Sequence, residues 1–448
     1  MTGDILFRNV EVDGLLVDVR TLAGTITEIS NGLATAGSEV VDGHGGALIP
    51  GLHDHHLHLL ALAASYSSVD CTRAADLAAL GRLIAAAPAG WVRAIRYDEA
   101  ALGVLDRDVL DSIAPDRPVR VQHRSGALWI LNSAALDDVA TALDDTDDVE
   151  RDASGRPNGR LWRYDERLSR ALPRAAPGLA SVGAQLHRLG ITRVTDATPD
   201  LDASTVDLVA HAVRVGDLPR HVRLLGAPDG DLPPEVVAGP RKLLLHDHDL
   251  PGYDDLCSLI AATRAAGRAV AVHCVTRESL LLTLAALEQV GPHDGDRIEH
   301  GSVIPREVYS QLTRLGVSVV TQPDFLRTRG DDYLRDVAAD DLMCLYPYAS
   351  LIAAGVPVCA SSDAPFGDLD PWAVMRSARD RRTASGVRIN VEEGVDVQTA
   401  LAGYLSDVPG GPPRTIAVGM PADVVLLKVP LATMLAEPTR ELVRAVRA

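Results

Sequence analysis

Lysine is almost absent from this sequence. Of the 43 basic residues only Lys242 and Lys428 are lysine, and the rest are arginine. Acidic residues number 61, which leaves a formal net charge of −18. Because such an excess of negative charge repels polyanions, we expect no nucleic acid and no anionic membrane as a partner. A small-molecule substrate is the expectation that remains.

Paired cysteines and long apolar runs are also missing. The five cysteines show no C-x-x-C spacing, a pattern typical of reduced thiols in a cytosolic protein. The first residues lack a basic segment followed by a long apolar one, and no stretch approaches the roughly 18 apolar residues of a membrane span. We therefore expect a cytoplasmic protein with neither a signal peptide nor a transmembrane helix.

What the chain does contain is length and a repeated pattern. Its 448 residues, 47% of them hydrophobic, suffice for one large core and an accessory domain. Apolar strands alternate with segments of helical periodicity, and eight such units predict an α/β fold of the (β/α)8 TIM-barrel type. The predicted strands are 47–54, 191–197, 221–226, 241–246, 269–274, 296–301, 317–322 and 357–363.

Both ends of the chain depart from this repeat. Residues 1–46 read as short strands separated by turns, and residues 412–448 contain a turn followed by an apolar strand. We predict that these two ends form one small β-sandwich domain. The barrel then covers 47–411, with an insertion at 60–190 after the first barrel strand that we expect to cover the mouth.

The first barrel strand ends in a cluster of histidines. The stretch 47–59 reads ALIPGLHDHHLHL, and His56 and His58 within it are two residues apart. Because residues i and i+2 of a strand point to the same face, these two imidazoles can bind one metal ion. Further potential ligands end three other predicted strands: His273, His300 and Asp363. Imidazoles combined with a carboxylate suit Zn²⁺ or a similar divalent ion.

At these residues the chain resembles the amidohydrolase superfamily of metal-dependent hydrolases. The stretch 47–58 matches its opening motif, and VGMPADVVLL near the end matches its usual return to the β-domain. ILNSAAL, GITRVTDA, RIEHG and SSDAPFGDLDPW are similar to the YtcJ-like branch. The resemblance covers nearly the whole chain.

The resemblance implies a role for each matching position. His56, His58 and Asp363 would hold one metal, and His273 and His300 would hold a second. Lys242, carboxylated by CO2, would bridge the two ions. The cofactor would then be one or two divalent ions per chain, with Zn²⁺ expected.

Another assignment of the bridge stays open. In that assignment Lys242 is a buried structural lysine, and His246 or a substrate group lies at the metals. His246 follows Lys242 on the same predicted strand with the same inward parity.

The function that follows is hydrolysis of a C–N bond of a small molecule, whether an amide, an N-acyl group, a cyclic amide or an amidine. A metal-activated hydroxide would attack, and Asp363 would act as the general base. His123 and His246 are candidates for stabilising the oxyanion.

Besides lyase or isomerase chemistry on the same site, two alternatives remain. One is a mononuclear deaminase of the same superfamily, which is disfavoured because Thr276 stands where such deaminases carry a glutamate. The other is a non-catalytic binding or regulatory barrel. A homodimer is one option for the assembly, which the sequence does not decide.

Three positions differ from the branch's usual pattern. They are Ala127, Arg163 and the pair His246–Asp247. Two of the three lie in the insertion. We therefore expect the insertion to set the substrate specificity, and the branch's known substrates are not carried over.

Overall fold

The computed structural model describes residues 4–35, 37–172 and 178–447. By their internal contacts the residues form two compact units, Met1–Leu59 with Leu179–Ala448, and Leu60–Gly178. The second unit therefore ends before the helix Ala180–Leu189, which lay inside the predicted insertion 60–190. That helix leads through Gly190, in the left-handed conformation, directly into the strand Ile191–Asp196.

Two parallel sheets make up the centre of the first unit. One has the strands Val236–Ala238, His221–Leu224, Ile191–Asp196 and Leu52–Leu57, in that spatial order. The other has Arg241–Leu243, Val270–Cys274, Arg297–His300, Ser318–Thr321 and Val358–Ala360. Their interiors are almost entirely buried, as expected for parallel strands covered on both faces. The predicted α/β class is confirmed.

Backbone hydrogen bonds also connect the two sheets. At one junction the amide of Lys242 donates to the carbonyl of Leu225 at 3.0 Å. At the other junction the amide of Asp363 donates to the carbonyl of His56 at 2.8 Å. The second junction brings the end of the last strand beside the end of the first, although more than 300 residues separate them in sequence.

Helices alternate with the parallel strands. Two of the longer ones begin at side-chain caps: Asp202 accepts from the Thr205 amide, and Thr276 forms a reciprocal capping box with Ser279. The α-helices of this unit, beyond Ala180–Leu189, are Ala203–Val215, Tyr253–Ala265, Arg277–Val290, Tyr309–Leu315, Asp324–Asp336, Ala339–Leu342, Tyr348–Ala353, Pro371–Asp380, Val397–Tyr404 and Leu431–Ala436.

The predicted first strand, 47–54, is two strands in the structure. Leu48–Pro50 pairs antiparallel with Val424–Leu427, whereas Leu52–Leu57 pairs parallel with Ile191–Asp196. Gly51 separates them, and a Cβ at this position would lie 2.0 Å from Thr192 Oγ1. The apolar run therefore changes sheet at the one residue without a side chain.

Two small sheets contain most of the remaining strands of this unit. One is ordered Thr25–Ser30, Leu15–Leu22, Ile5–Val12 and Glu39–Asp42. The other is ordered Val443–Arg447, Val424–Leu427 and Leu48–Pro50. Apolar side chains of both sheets belong to one buried cluster, which includes Phe7, Leu48 and Leu426.

The second unit contains a mixed sheet. Its strands are ordered Val149–Arg151, Pro157–Trp162, Leu128–Leu131, Val119–His123, Val92–Tyr97 and Val69–Asp70. Its α-helices are Leu77–Ala86, Glu99–Leu102, Arg107–Ile113, Ser133–Asp138 and Asp165–Ala171, and the helix Leu59–Tyr66 crosses the boundary between the units.

None of the helices in the described part of the chain combines the length and the apolar character that crossing a bilayer requires.

Candidate metal centre

His56, His58 and Asp363 form the one group of three potential metal ligands found among residues 4–35, 37–172 and 178–447. One ligand atom from each lies within 4.8 Å of the other two. His56 lies near the end of the strand Leu52–Leu57, and His58 follows it directly. Asp363 joins them because of the backbone bond between the first and last strands.

The distances within this group fit a tetrahedral ion. Nε2 of His56 lies 3.4 Å from Asp363 Oδ1, and Nε2 of His58 lies 3.3 Å from the same oxygen. Zinc bonds to imidazole nitrogen and carboxylate oxygen are about 2.0–2.2 Å long, so neighbouring ligand atoms of a tetrahedron lie roughly 3.3–3.5 Å apart. Nε2 of His56 and Oδ1 of Asp363 are buried and have no hydrogen-bond partner in the described structure. These atoms therefore fit a metal ion.

Glu299 determines which nitrogen of His56 is free. The Glu299 carboxylate accepts a hydrogen bond from Nδ1 of His56, and both side chains are completely buried. An imidazole that donates through Nδ1 carries its lone pair on Nε2. His56 therefore presents a metal-binding lone pair toward Asp363.

His300 is oriented in the same way. Its Nδ1 lies 2.8 Å from Oε1 of Gln322, whose amide group donates to Ser361 Oγ and the Val320 carbonyl. Because those two bonds fix the amide orientation, the Gln322 oxygen must accept from His300 Nδ1–H, and Nε2 is free. The imidazole of His273 contacts His300, with ring centroids 4.4 Å apart.

Burial keeps these imidazoles neutral. Desolvation lowers the pKa of His300 to about 3. The pKa of His273 is lowered to about 2, by desolvation and by the neighbouring His300. Only a neutral imidazole can bind a metal, so both side chains are in the ligating form at neutral pH.

The Asp363 carboxylate is ionised. Burial alone would raise its pKa, but the close imidazoles of His58, His56 and His300 hold the pKa well below its usual range. The backbone of Asp363 has φ +53°, and that of His300 has φ +68°. Such conformations cost a non-glycine residue about 1–3 kcal/mol and recur at functional sites.

The buried pair of Arg297 and Glu299 was not predicted from the sequence. Nε of Arg297 donates to Glu299, and Nη2 of Arg297 donates to the His55 carbonyl at 3.1 Å. Arginine and glutamate are almost never fully buried unless paired, and these two stand two residues apart in the strand Arg297–His300. Arg297 compensates the negative charge that orients His56.

Lys242 is buried, with 4% of its surface exposed, and its Nζ has no hydrogen-bond partner among the described residues. Desolvation lowers the pKa of this amine. Glu299 and Asp363, which act in the opposite direction, are near enough to influence it. A buried amine shifted toward its neutral form and without a partner fits a lysine that reacts with CO2.

Neither predicted oxyanion residue belongs to the ligand group found among the described residues. The strand that contains Lys242 ends at Leu243, so its alternation does not extend to His246, which is exposed in a turn beside His248. His123 belongs to the second unit, where its Nδ1 lies 2.8 Å from Ser125 Oγ. Their catalytic roles stay predictions.

A family model described as "Amidohydrolase family" matches residues 39–446. The chain belongs to this family. The amidohydrolase resemblance drawn from the motifs is thereby confirmed, and the protein is a hydrolase of carbon–nitrogen bonds.

Two curated relatives of this amidohydrolase span most of it. The N-substituted formamide deformylase of Arthrobacter pascens is 26% identical, over 86% of this chain and 82% of the relative. The YtcJ protein of Bacillus subtilis strain 168 is 24% identical, over 83% of this chain and 81% of the relative.

Solved structures share the fold. An uncharacterized metal-dependent hydrolase of Pyrococcus horikoshii OT3 superposes with a TM-score of 0.74 at 18% identity, with 96% of each chain covered. The N-isopropylammelide isopropylaminohydrolase of Burkholderia multivorans gives a TM-score of 0.53 at 19% identity, with 99% of this chain and 97% of the other covered.

Proposed function

We propose that this amidohydrolase is a metal-dependent enzyme that hydrolyses a C–N bond of a small molecule. The observation that carries the proposal is that three buried polar atoms have no partner among the described residues: His56 Nε2, Asp363 Oδ1 and Lys242 Nζ. Buried polar atoms are normally hydrogen-bonded, and leaving one unsatisfied costs about 1–3 kcal/mol. A metal ion beside a carboxylated lysine would satisfy all three.

His56, His58 and Asp363 would hold one ion, and His273 and His300 a second. A carbamate on Lys242 would offer one oxygen to each ion. When bound, such ions lower the pKa of water and polarise a carbonyl group. Zn²⁺ is the ion that this donor set favours.

In the proposed reaction Asp363 moves the proton. Its carboxylate is ionised at neutral pH, so it can accept a proton from the attacking water and then deliver it to the leaving nitrogen. Glu299 and Gln322 hold the imidazoles of His56 and His300 in the tautomer that this arrangement needs.

The deaminase alternative has less support. Thr276, at the position where the deaminases carry a glutamate, donates through Oγ1 to Asp247 at 2.6 Å and caps the helix Arg277–Val290. It therefore offers no carboxylate for proton transfer. Amide hydrolysis is favoured, and N-substituted formamides belong in a first substrate panel because a relative bears that name.

The finer architecture is part of the same proposal. The backbone bonds at both junctions of the parallel sheets support a closed (β/α)8 barrel. The apolar cluster shared by the two small sheets supports a β-sandwich domain built from both chain ends. Coverage of the barrel mouth by 60–190, a cytoplasmic location and a homodimer stay predictions.

The test combines metal analysis with a substrate screen. Protein purified without chelators should contain one to two equivalents of divalent metal. It should hydrolyse at least one compound from a panel of N-formyl, N-acyl and cyclic amides. Protein that binds no stoichiometric metal, together with an unaltered metal content in His56→Ala, would contradict the proposal.

A further inference from the structure

Arg329 differs from its neighbours on the helix Asp324–Asp336. Arg327 binds Asp324 at 2.7 Å, and Arg335 binds Asp332 at 3.0 Å. Arg329, which lies between them and is half-buried, has no carboxylate within ion-pair distance in the described part of the chain.

The side chain of Arg329 points back toward the start of its helix. The guanidinium carbon lies 4.2 Å from the centre of the Phe325 ring, four residues earlier. Helical side chains tilt toward the N-terminus, which accounts for this i, i−4 stacking. The helix begins just after Gln322, the residue that orients His300. Arg329 is therefore directed toward the strand ends at which the candidate metal ligands lie.

A second contact connects Arg329 with those ligands. Its Nη2 donates to the carbonyl of Phe366 at 3.3 Å. The Phe366 ring contacts the His58 ring edge-on, with ring centroids 5.5 Å apart. The backbone amide of Phe366 donates to the Asp363 carbonyl at 2.8 Å. Phe366 is thus the single residue between the guanidinium and two candidate ligands.

We propose that Arg329 binds a carboxylate of the substrate, so that the substrate class is an amide or N-acyl compound bearing a carboxylate. This inference rests on the proposed metal-dependent hydrolysis and names its substrate class. A guanidinium has five N–H donors in a planar fork that matches a carboxylate. The Phe366 carbonyl and the Tyr333 hydroxyl each accept from the guanidinium, and no carboxylate of the described residues takes the remaining donors.

Two arginines of the second unit, Arg163 and Arg124, do have carboxylate partners. Arg163 forms an ion pair with Asp148 at 3.0 Å, and Arg124 pairs with Asp98 at 3.2 Å. Their charges are compensated within the second unit. Arg329, in contrast, bonds to the carbonyl of Phe366, whose ring contacts His58.

The experiment compares matched ligands and matched variants of the full-length, metal-loaded protein. Each N-formyl or N-acetyl amino acid is paired with its neutral carboxamide, which differs only in the charge. Arg329→Gln removes the fork, and Arg329→Lys keeps the charge without it. Arg335→Gln removes one exposed positive charge from the same helix and is the control. Binding by calorimetry, turnover and metal content are measured for every protein.

We expect the wild type to prefer the carboxylates. Arg329→Gln should weaken their binding and raise their KM by about 10- to 100-fold, the usual effect of a charge-assisted bond. The neutral carboxamides and the metal content should change less than about twofold. Arg329→Lys should recover part of the preference, and Arg335→Gln should behave as wild type.

The outcomes separate the two proposals. If wild type binds or hydrolyses both series equally, or shows no binding of either, the carboxylate inference is overturned. If Arg329→Gln impairs both series by the same factor, the residue has a structural role and the inference fails while the hydrolase proposal stands. If no metal binds and nothing is hydrolysed, yet carboxylate binding depends on Arg329, the hydrolase proposal fails and the carboxylate subsite stands.

Discussion

The strand Leu52–Leu57 and the residue after it present two pairs of histidines with different surroundings. On one face, His53 uses both ring nitrogens, at 2.9 Å from Thr195 Oγ1 and 3.3 Å from the Ser406 carbonyl. The ring of His55 lies 3.9 Å from that of His53 and contacts the Gly403 carbonyl through Nε2. On the other face, His56 and His58 converge on Asp363.

The difference shows that a free nitrogen alone does not make a metal site. Nδ1 of His55 is as buried and as unpartnered as Nε2 of His56. The one group of potential metal ligands found among the described residues, however, does not include His55. The two faces differ because the carboxylate of Asp363, which follows the last strand, lies beside only one of them.

We expect the largest effect from Asp363→Asn, which alters the carboxylate that distinguishes the two faces. Asparagine retains the size of the side chain but cannot accept the proton, so we expect kcat to fall by about 10²–10⁴-fold. The fold, followed by circular dichroism, should be unchanged. Turnover within about tenfold of wild type would remove Asp363 from its assigned role.

Lys242→Ala should produce the next largest effect. Loss of the bridging group should reduce the bound metal from two equivalents to one, as measured by elemental analysis, and short carboxylic acids should partly restore the second. Lys428→Ala is the matched control, since its amine donates to the Glu441 carbonyl on the surface. An unchanged metal content in Lys242→Ala would leave Lys242 as a structural lysine.

Glu299→Gln tests how the metal-binding face is oriented. Removing the charge that holds Nδ1–H of His56 should weaken metal binding by about 10- to 100-fold, as measured by competition with a chelator. Glu288→Gln, at an exposed carboxylate paired with Arg314, serves as the control. Equal metal affinities in the two variants would exclude the orienting role.

The smallest effect should come from the other face. His53→Leu leaves Thr195 and the Ser406 carbonyl without their partner and should lower the free energy of unfolding by about 1–3 kcal/mol. His55→Leu, which loses a single bond, should cost less. Denaturant titration measures both values. Loss of metal in either variant would show that the two faces are not independent.

The sequence predicted much of the strand pattern and the proximity of His56, His58 and Asp363. Each of the eight predicted segments contains a strand in the structure, and the alternation of strand-like and helix-like segments was the pattern that predicted them. The strand bounds were predicted less accurately at Gly51. The backbone there approaches Thr192 too closely for a Cβ, and the apolar run is divided between two sheets at this residue.

Side-chain partners were harder to predict than strands. The spacing of residues in sequence does not show that Glu299 reaches His56 across neighbouring strands, or that Gln322 reaches His300. His246 was expected to continue the alternation of its strand, but the strand ends three residues earlier and the side chain is exposed. Such contacts depend on register between distant strands, which a local pattern does not contain.

The scarcity of lysine makes the protein unusually simple to follow by isotope labelling. The amine of Lys242 is buried, and the amine of Lys428 donates a hydrogen bond to the Glu441 carbonyl on the surface. In protein equilibrated with ¹³C-bicarbonate, a carbamate on a side chain would therefore give at most two carbonyl resonances. Replacing Lys428 with arginine would leave a single resonance that needs no assignment and could be followed as metal is added or removed.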